Sequence, residues 1–130
     1  DEALVVTTPE VSAVRDADRI IGLLESMGKS PISLIINRIR PHVVARGDML
    51  TVSDVLDVLA IDLIGVVPDD ESVFSSTNKG EPLTLGGVSP AAVAFSNIAN
   101  RIMGHEVPFQ SLDVPHGSKF MAKIKQLLRL

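Results

Sequence analysis

Three stretches of this chain are apolar at nearly every position: Ala3-Leu-Val-Val-Thr7, Ile32-Ser-Leu-Ile-Ile-Asn37 and Asp62-Leu-Ile-Gly-Val-Val67. A strand with one wet face alternates apolar and polar side chains. Strands apolar on both faces belong in a buried parallel sheet covered by helices. Between the first two runs the period changes to that of a helix, with Val11, Val14, Ala17, Ile21 and Leu24 on one face. Its punctuation predicts Thr8 as N-cap, Pro9 at the first helical position and Gly28 near the end. Strand, helix and strand then make one right-handed crossover unit.

Further along, residues 40–48 turn basic and irregular and read as an exposed loop. Thr51 or Ser53 is set to cap a short helix bearing Val52, Val55, Leu56 and Leu59. After the third strand, Asp69 or Asp70 caps another helix, which stops at Gly80 with Pro82 just beyond. Residues 83–90 are turn-rich, and Ser89 or Pro90 opens a longer helix through Ala94, Ile98 and Ile102 to Gly104. The expected organisation is an α/β body over residues 1–104, a linker over 105–118 and a separate helix over 119–130. The body is predicted as a doubly wound, mostly parallel sheet with helices on both faces.

That terminal stretch changes the electrostatic picture. Lys119, Lys123, Lys125 and Arg129 give it four cations and no acid, so the 12 basic and 16 acidic side chains of the whole chain leave 8 against 16 on residues 1–118. Phe120, Met121, Ile124, Leu127 and Leu128 fall in an arc roughly 120° wide, with Lys123 and Lys125 at its borders and Arg129 opposite. A helix of this kind lies flat on an anionic membrane surface. Each cation contributes about 1 kcal/mol near an anionic leaflet. The apolar residues add about 1.5 to 3 kcal/mol each if fully buried, against about 1 to 2 kcal/mol per residue of ordering. One copy is thus predicted to hold weakly, and two joined copies to gain about 100-fold through effective concentration. The pattern also suits a final helix packed on its own domain, or a basic helix for a calmodulin-like protein or nucleic acid. The acidic body argues against nucleic acid.

The sequence contains no cysteine, which excludes a disulfide framework, a thiolate zinc site and a thiol nucleophile. It has no apolar run near the length of about 20 residues that spans a bilayer. No secretory signal opens it, and its start at Asp1 points to a piece or processed product of a longer protein. His42, His105 and His116 each stand alone, without a ligand one helical turn away, and no metal site is expected from them. There is no Gly-x-Ser-x-Gly elbow.

In an open parallel sheet, ligands sit outside the carboxyl ends of the strands. Three polar clusters are expected there: Thr7-Thr8-Pro9-Glu10, Asn37-Arg38 and Pro68-Asp69-Asp70. Asn37 can offer an amide to a purine edge, Arg38 can stack on a ring or meet a phosphate, and Pro68 can wall the ring. Each also has a structural use, Asn37 in a turn and Asp69 or Asp70 as caps.

At these residues a family resemblance emerges. The segments from Val5 to Leu24, Ile36-Asn-Arg-Ile-Arg-Pro41, Leu63-Ile-Gly-Val-Val-Pro-Asp-Asp70, Asn78-Lys-Gly-Glu-Pro82 and the basic tail together closely resemble the carboxyl-terminal half of the MinD family, within the deviant Walker A ATPases. The resemblance implies the carboxyl-terminal part of a P-loop NTPase that takes ATP or ADP with Mg2+. It implies an ATP-dependent homodimer, MinC and MinE as partners, and peripheral attachment to the inner face of the cell membrane or, in a plastid, the inner envelope. It assigns Asn37 to the adenine edge, with Arg38 beside it, and Pro68, Asp69 and Asp70 to the wall of the base. Phe120, Met121, Ile124, Leu127 and Leu128 become the inserting face, with Lys119, Lys123, Lys125 and Arg129 toward lipid. The family's Gly-Lys-Thr loop is missing, for Gly86-Gly87 is followed by Val88, so this chain alone is expected not to hydrolyse ATP. Two other functions compete: a peripheral membrane module without catalysis, and a ParA-like partition ATPase, which the acidic body disfavours.

Overall fold

A computed structural model describes residues 2–86 and 88–110. Three parallel strands, β1 (Ala3–Thr7), β2 (Ile32–Ile39) and β3 (Asp62–Pro68), form one sheet in the order β1-β2-β3. The α/β class with a parallel sheet and helices is therefore the observed fold. Helix α1 (Val11–Ser26) makes the first crossover, and α2 (Pro41–Ala45) with α3 (Val52–Leu59) makes the second. Beyond β3 lie α4 (Glu71–Lys79), a 3-10 turn at Leu83–Leu85 and α5 (Pro90–Ile102). Residues 119–130 lie outside the described residues, and with them the predicted membrane positions Lys119, Phe120, Met121, Lys123, Ile124, Lys125, Leu127, Leu128 and Arg129.

Adjacent residues of β2 divide between two cores, which is why the strand reads as a continuous apolar run. Leu34 and Ile36 are fully buried with Val14, Ala17 and Ile21 of α1 and Val55, Val58 and Leu59 of α3. Ile35 points to the other face, with Val67, Ala91, Ala94 and Ile98. A Cβ placed on Gly65 would collide with the Ile98 side chain, so the missing side chain at 65 lets α5 settle on β3. Ile102, in the last turn of α5, is half-exposed.

Two local expectations change. Helix α1 begins at Val11 with Glu10 as N-cap, not at Pro9 after Thr8. The Pro9 ring is fully buried and its carbonyl accepts the Leu50 amide at 3.1 Å, a partner outside the helix. Residues 40–48 are not wholly irregular, because Pro41 opens α2 and Val44 is buried beneath it. Other punctuation is as predicted: Thr51 caps α3, Gly80 ends α4 at φ 68°, and Ser89 caps α5 with Pro90 at its first position, while Asp54 completes a reciprocal capping box at Thr51 that the sequence reading did not include.

Candidate functional site at the strand ends

Parallel pairing aligns the three carboxyl ends. Thr7 pairs with Ile36, Ile36 with Val66, and Ile39 with Pro68. Between the last two pairs β2 uses one residue more than β3, and the surplus is taken up where Arg38 adopts φ 59°. A left-handed backbone at a non-glycine residue costs of order 1 to 3 kcal/mol and persists only where surrounding contacts hold it. Here Asn37 Oδ1 accepts the Arg38 backbone amide at 2.9 Å, closing the turn from within. The Asn37 side chain is half-buried, and Nδ2 makes no hydrogen bond among the described residues.

The next two residues of the chain face the end of β3. The Asp69 amide donates to the Ile39 carbonyl at 2.9 Å, extending the ladder by one bond. Arg40 Nε donates to Asp69 Oδ2 at 2.6 Å, while Arg38 Nε stands 3.7 Å from Asp69 Oδ1. Two guanidiniums therefore converge on one carboxylate, the nearer bonding it and the farther held loosely with most of its side chain in solvent. Pairs this exposed are worth about 0 to 1 kcal/mol, so they orient the loops more than they stabilise the fold. Sequence reasoning left out Arg40. The available signal was the alternation Arg38-Ile-Arg40 at the end of one strand, opposite Asp69 on its parallel neighbour.

Asp70 serves a different purpose. Its Oδ1 accepts the Ser72 amide at 2.9 Å and its Oδ2 the Ala91 amide at 3.0 Å, so one carboxylate caps both α4 and α5. The Ala91 amide first, then the Ser72 amide, with help from the Ser89 and Ser72 hydroxyls, draws its pKa down to about 2 against a smaller opposing effect of desolvation. The structure thus brings Asn37, Arg38, Pro68 and Asp69 to one end of the sheet and commits both oxygens of Asp70 to helix ends. Among the described residues no group of three or more His, Asp or Glu side chains is arranged around a metal ion. The depression between α4 and residues 81–89, about 350 Å³, and the one at the start of β3, about 620 Å³, are lined by none of these five residues.

No family model matches the chain. Septum site-determining protein MinD of Synechocystis is 52% identical over 118 residues, 90% of this chain and 44% of its own length. That of Bacillus subtilis is 48% identical over 126 residues, 96% of this chain and 47% of its own. The chain belongs to the MinD family. It spans under half the length of these MinD relatives and corresponds to their carboxyl-terminal half. Among solved structures, MinD of Aquifex aeolicus superposes with a TM-score of 0.82 and 46% identity, over 85% of this chain and 47% of its own. The same organism's MinC:MinD complex matches equally well. MinD of Pyrococcus horikoshii complexed with Mg-ADP matches at TM-score 0.69 with 28% identity, over 78% of this chain and 40% of its own. The fold is accordingly that of the MinD P-loop NTPases. No described helix is long and apolar enough to cross a membrane.

Proposed function

We propose that this chain is the base-reading and membrane-binding half of a MinD-type ATPase that selects the division site. The observation that carries this is the meeting of Asn37-Arg38 and Pro68-Asp69 at one end of a parallel sheet, in a chain related end to end to MinD. Asn37 Nδ2 is left to donate to the acceptor edge of adenine while Oδ1 steadies its own turn. Pro68 walls the ring, and Asp69, held by Arg40, keeps the two strand-end loops in register around it. The Arg38 guanidinium, only loosely engaged by Asp69, is free to move onto the base or a phosphate. Asp70 supports this wall from behind through the two helices it caps.

The residues in hand do not fit Mg2+. Asp69 is neutralised by guanidiniums and Asp70 is occupied by amides, so metal and phosphates would fall to residues outside this sequence, as would hydrolysis itself. That nucleotide is bound by the family is supported by the Mg-ADP complex of the Pyrococcus relative. In the complete protein ATP would pair two copies, and the paired basic helices of residues 119–130 would then hold an anionic membrane that one copy grips only weakly. The Aquifex complex supports MinC as a partner. MinE would stimulate hydrolysis and release. The resulting location is the cytoplasm, or the plastid stroma, with peripheral attachment to the adjoining membrane.

The test uses the parent protein. Asn37→Ala is expected to weaken adenine-nucleotide affinity by about 1 to 3 kcal/mol, through an unpaired base edge, as read by calorimetry. Unchanged affinity would remove Asn37 from the site. Ile124→Glu is expected to abolish ATP-dependent sedimentation with anionic vesicles while nucleotide still binds, and retained sedimentation would refute the membrane helix.

A further inference from the structure

Residues 105–110, read from sequence as the start of a linker, are tied to the sheet by one side chain. Arg101, in the last turn of α5, donates from Nε to the Val107 carbonyl at 3.0 Å, from Nη2 to the Pro108 carbonyl at 3.1 Å and from Nη1 to the Ile64 carbonyl at 3.0 Å. Its guanidinium also stacks 3.9 Å from the centre of the Phe109 ring. Ile64 is the residue at which β3 slips register against β2, between the pairs Leu34–Leu63 and Ile35–Gly65. Arg101 thus holds the segment through Nε and Nη2 and the strand through Nη1, and all three acceptors are main chain. The direction of the segment follows from what lies beside it. At the start of β3, Asp62, His105 and Glu106 border one depression; at its end, Pro68, Asn97 and Gln110 border a small cavity, and Arg101 and Phe109 touch both. Residues 105–110 thus run along the outer edge of β3 from its first residue towards its last.

We infer that Arg101 is a positioning residue, which pins Val107–Phe109 to the edge of β3 and so roots everything after Gln110 beside Pro68, at the carboxyl end of the sheet. The consequence for membrane attachment rests on the function proposed above. With the pin in place, eight residues (111–118) separate the root from the basic helix, a reach of at most about 28 Å at 3.5 Å per residue. Without it the tether starts after Gly104 and has 14 residues, or about 49 Å. The pin thus fixes where the tether begins and shortens its greatest reach from about 49 Å to about 28 Å.

The experiment is a distance measurement by spin labels at Glu71→Cys and Gln110→Cys in the parent protein with no other cysteine, residues 1–130 contributing none. A single narrow distribution is expected for this pair, at least doubling in width when Arg101→Ala is added, with the melting temperature little changed. Arg101→Lys keeps the charge but loses the planar fork and is expected to stay broad. If Arg101→Ala unfolds α5, Phe109→Ala replaces it, and a partial broadening is expected from loss of the stacked ring alone. Narrow distributions in every variant that folds would overturn the inference. Vesicle sedimentation of the parent protein separates the two claims. A parent that fails to sediment removes the membrane function but leaves the pin standing, whereas narrow distances remove the pin whatever the vesicles do.

Discussion

The two outer strands of the sheet are finished very differently. On the β3 side, α5 packs on the strand through the space above Gly65, Asp70 fastens α4 and α5 to the strand end, and Arg101 lays residues 105–110 along the edge. On the β1 side, α1 covers one face, but Leu4 and Val6 on the other are 44% and 58% exposed. Their pairing with Ser33 and Ile35 puts them on the same face as the core beneath α5, which does not reach them. A parallel strand apolar on both faces and bare on one has a composition suited to a neighbour that the described residues do not supply. The sheet thus has one side stabilised within the described residues and one left bare.

The largest effects of substitution belong to the β3 side. Ile98→Ala is expected to lower stability by about 2 to 5 kcal/mol and Gly65→Ala by about 1 to 3 kcal/mol. Because the added methyl occupies the space that the truncation vacates, the double variant should cost clearly less than the sum, as denaturant unfolding would measure. A strictly additive double variant would mean that α5 does not sit on Gly65.

Next in size is the double cap. Asp70→Asn keeps one acceptor oxygen and gives up the other, costing about 1 to 2 kcal/mol at neutral pH. Because the carboxyl of Asp70 is lowered from its ordinary value to about 2, its contribution is complete above the ordinary value and disappears as the pH falls from near 4 to near 2. The stability gap between Asp70→Asn and the unaltered chain is expected to close over that interval. A gap unaffected by acid would show that the charge does not carry the cap.

The smallest effect on stability is expected on the β1 side. Replacing Leu4 and Val6 together by Lys should shift stability by only about 0.5 kcal/mol, because neither side chain is buried. The same change should reduce self-association of the chain in analytical ultracentrifugation, by putting charge on the bare face. A large loss of stability would mean that this face is covered after all.

The features legible from sequence were those governed by neighbours along the chain. The three apolar runs, the cap at Thr51, the stop at Gly80 and the cap at Ser89 follow from local period and backbone chemistry. What was hidden depends on contacts between distant residues. Thr8 looked like a cap until Leu50 took the Pro9 carbonyl, and the basic character of residues 40–48 masked the short helix that buries Val44. The strand-end cluster was legible as a set, because parallel strands align their ends. Its internal wiring was not, since nothing local distinguishes Asp69, which meets Arg40, from Asp70, which meets two helices. Residues 105–110 carry neither periodicity nor ladder bonds, so their attachment to the sheet through Arg101 could not be read from the sequence.

Asp70 also bears on how this protein can vary. Because a single carboxylate fixes the beginnings of both α4 and α5, the stretch between them is relieved of any duty to align the helices. Provided that Leu83 keeps its place against the core beneath α5, the rest of residues 81–88 can change in length and character while the far end of the sheet keeps its shape, which makes that loop a natural site for a graft or a label.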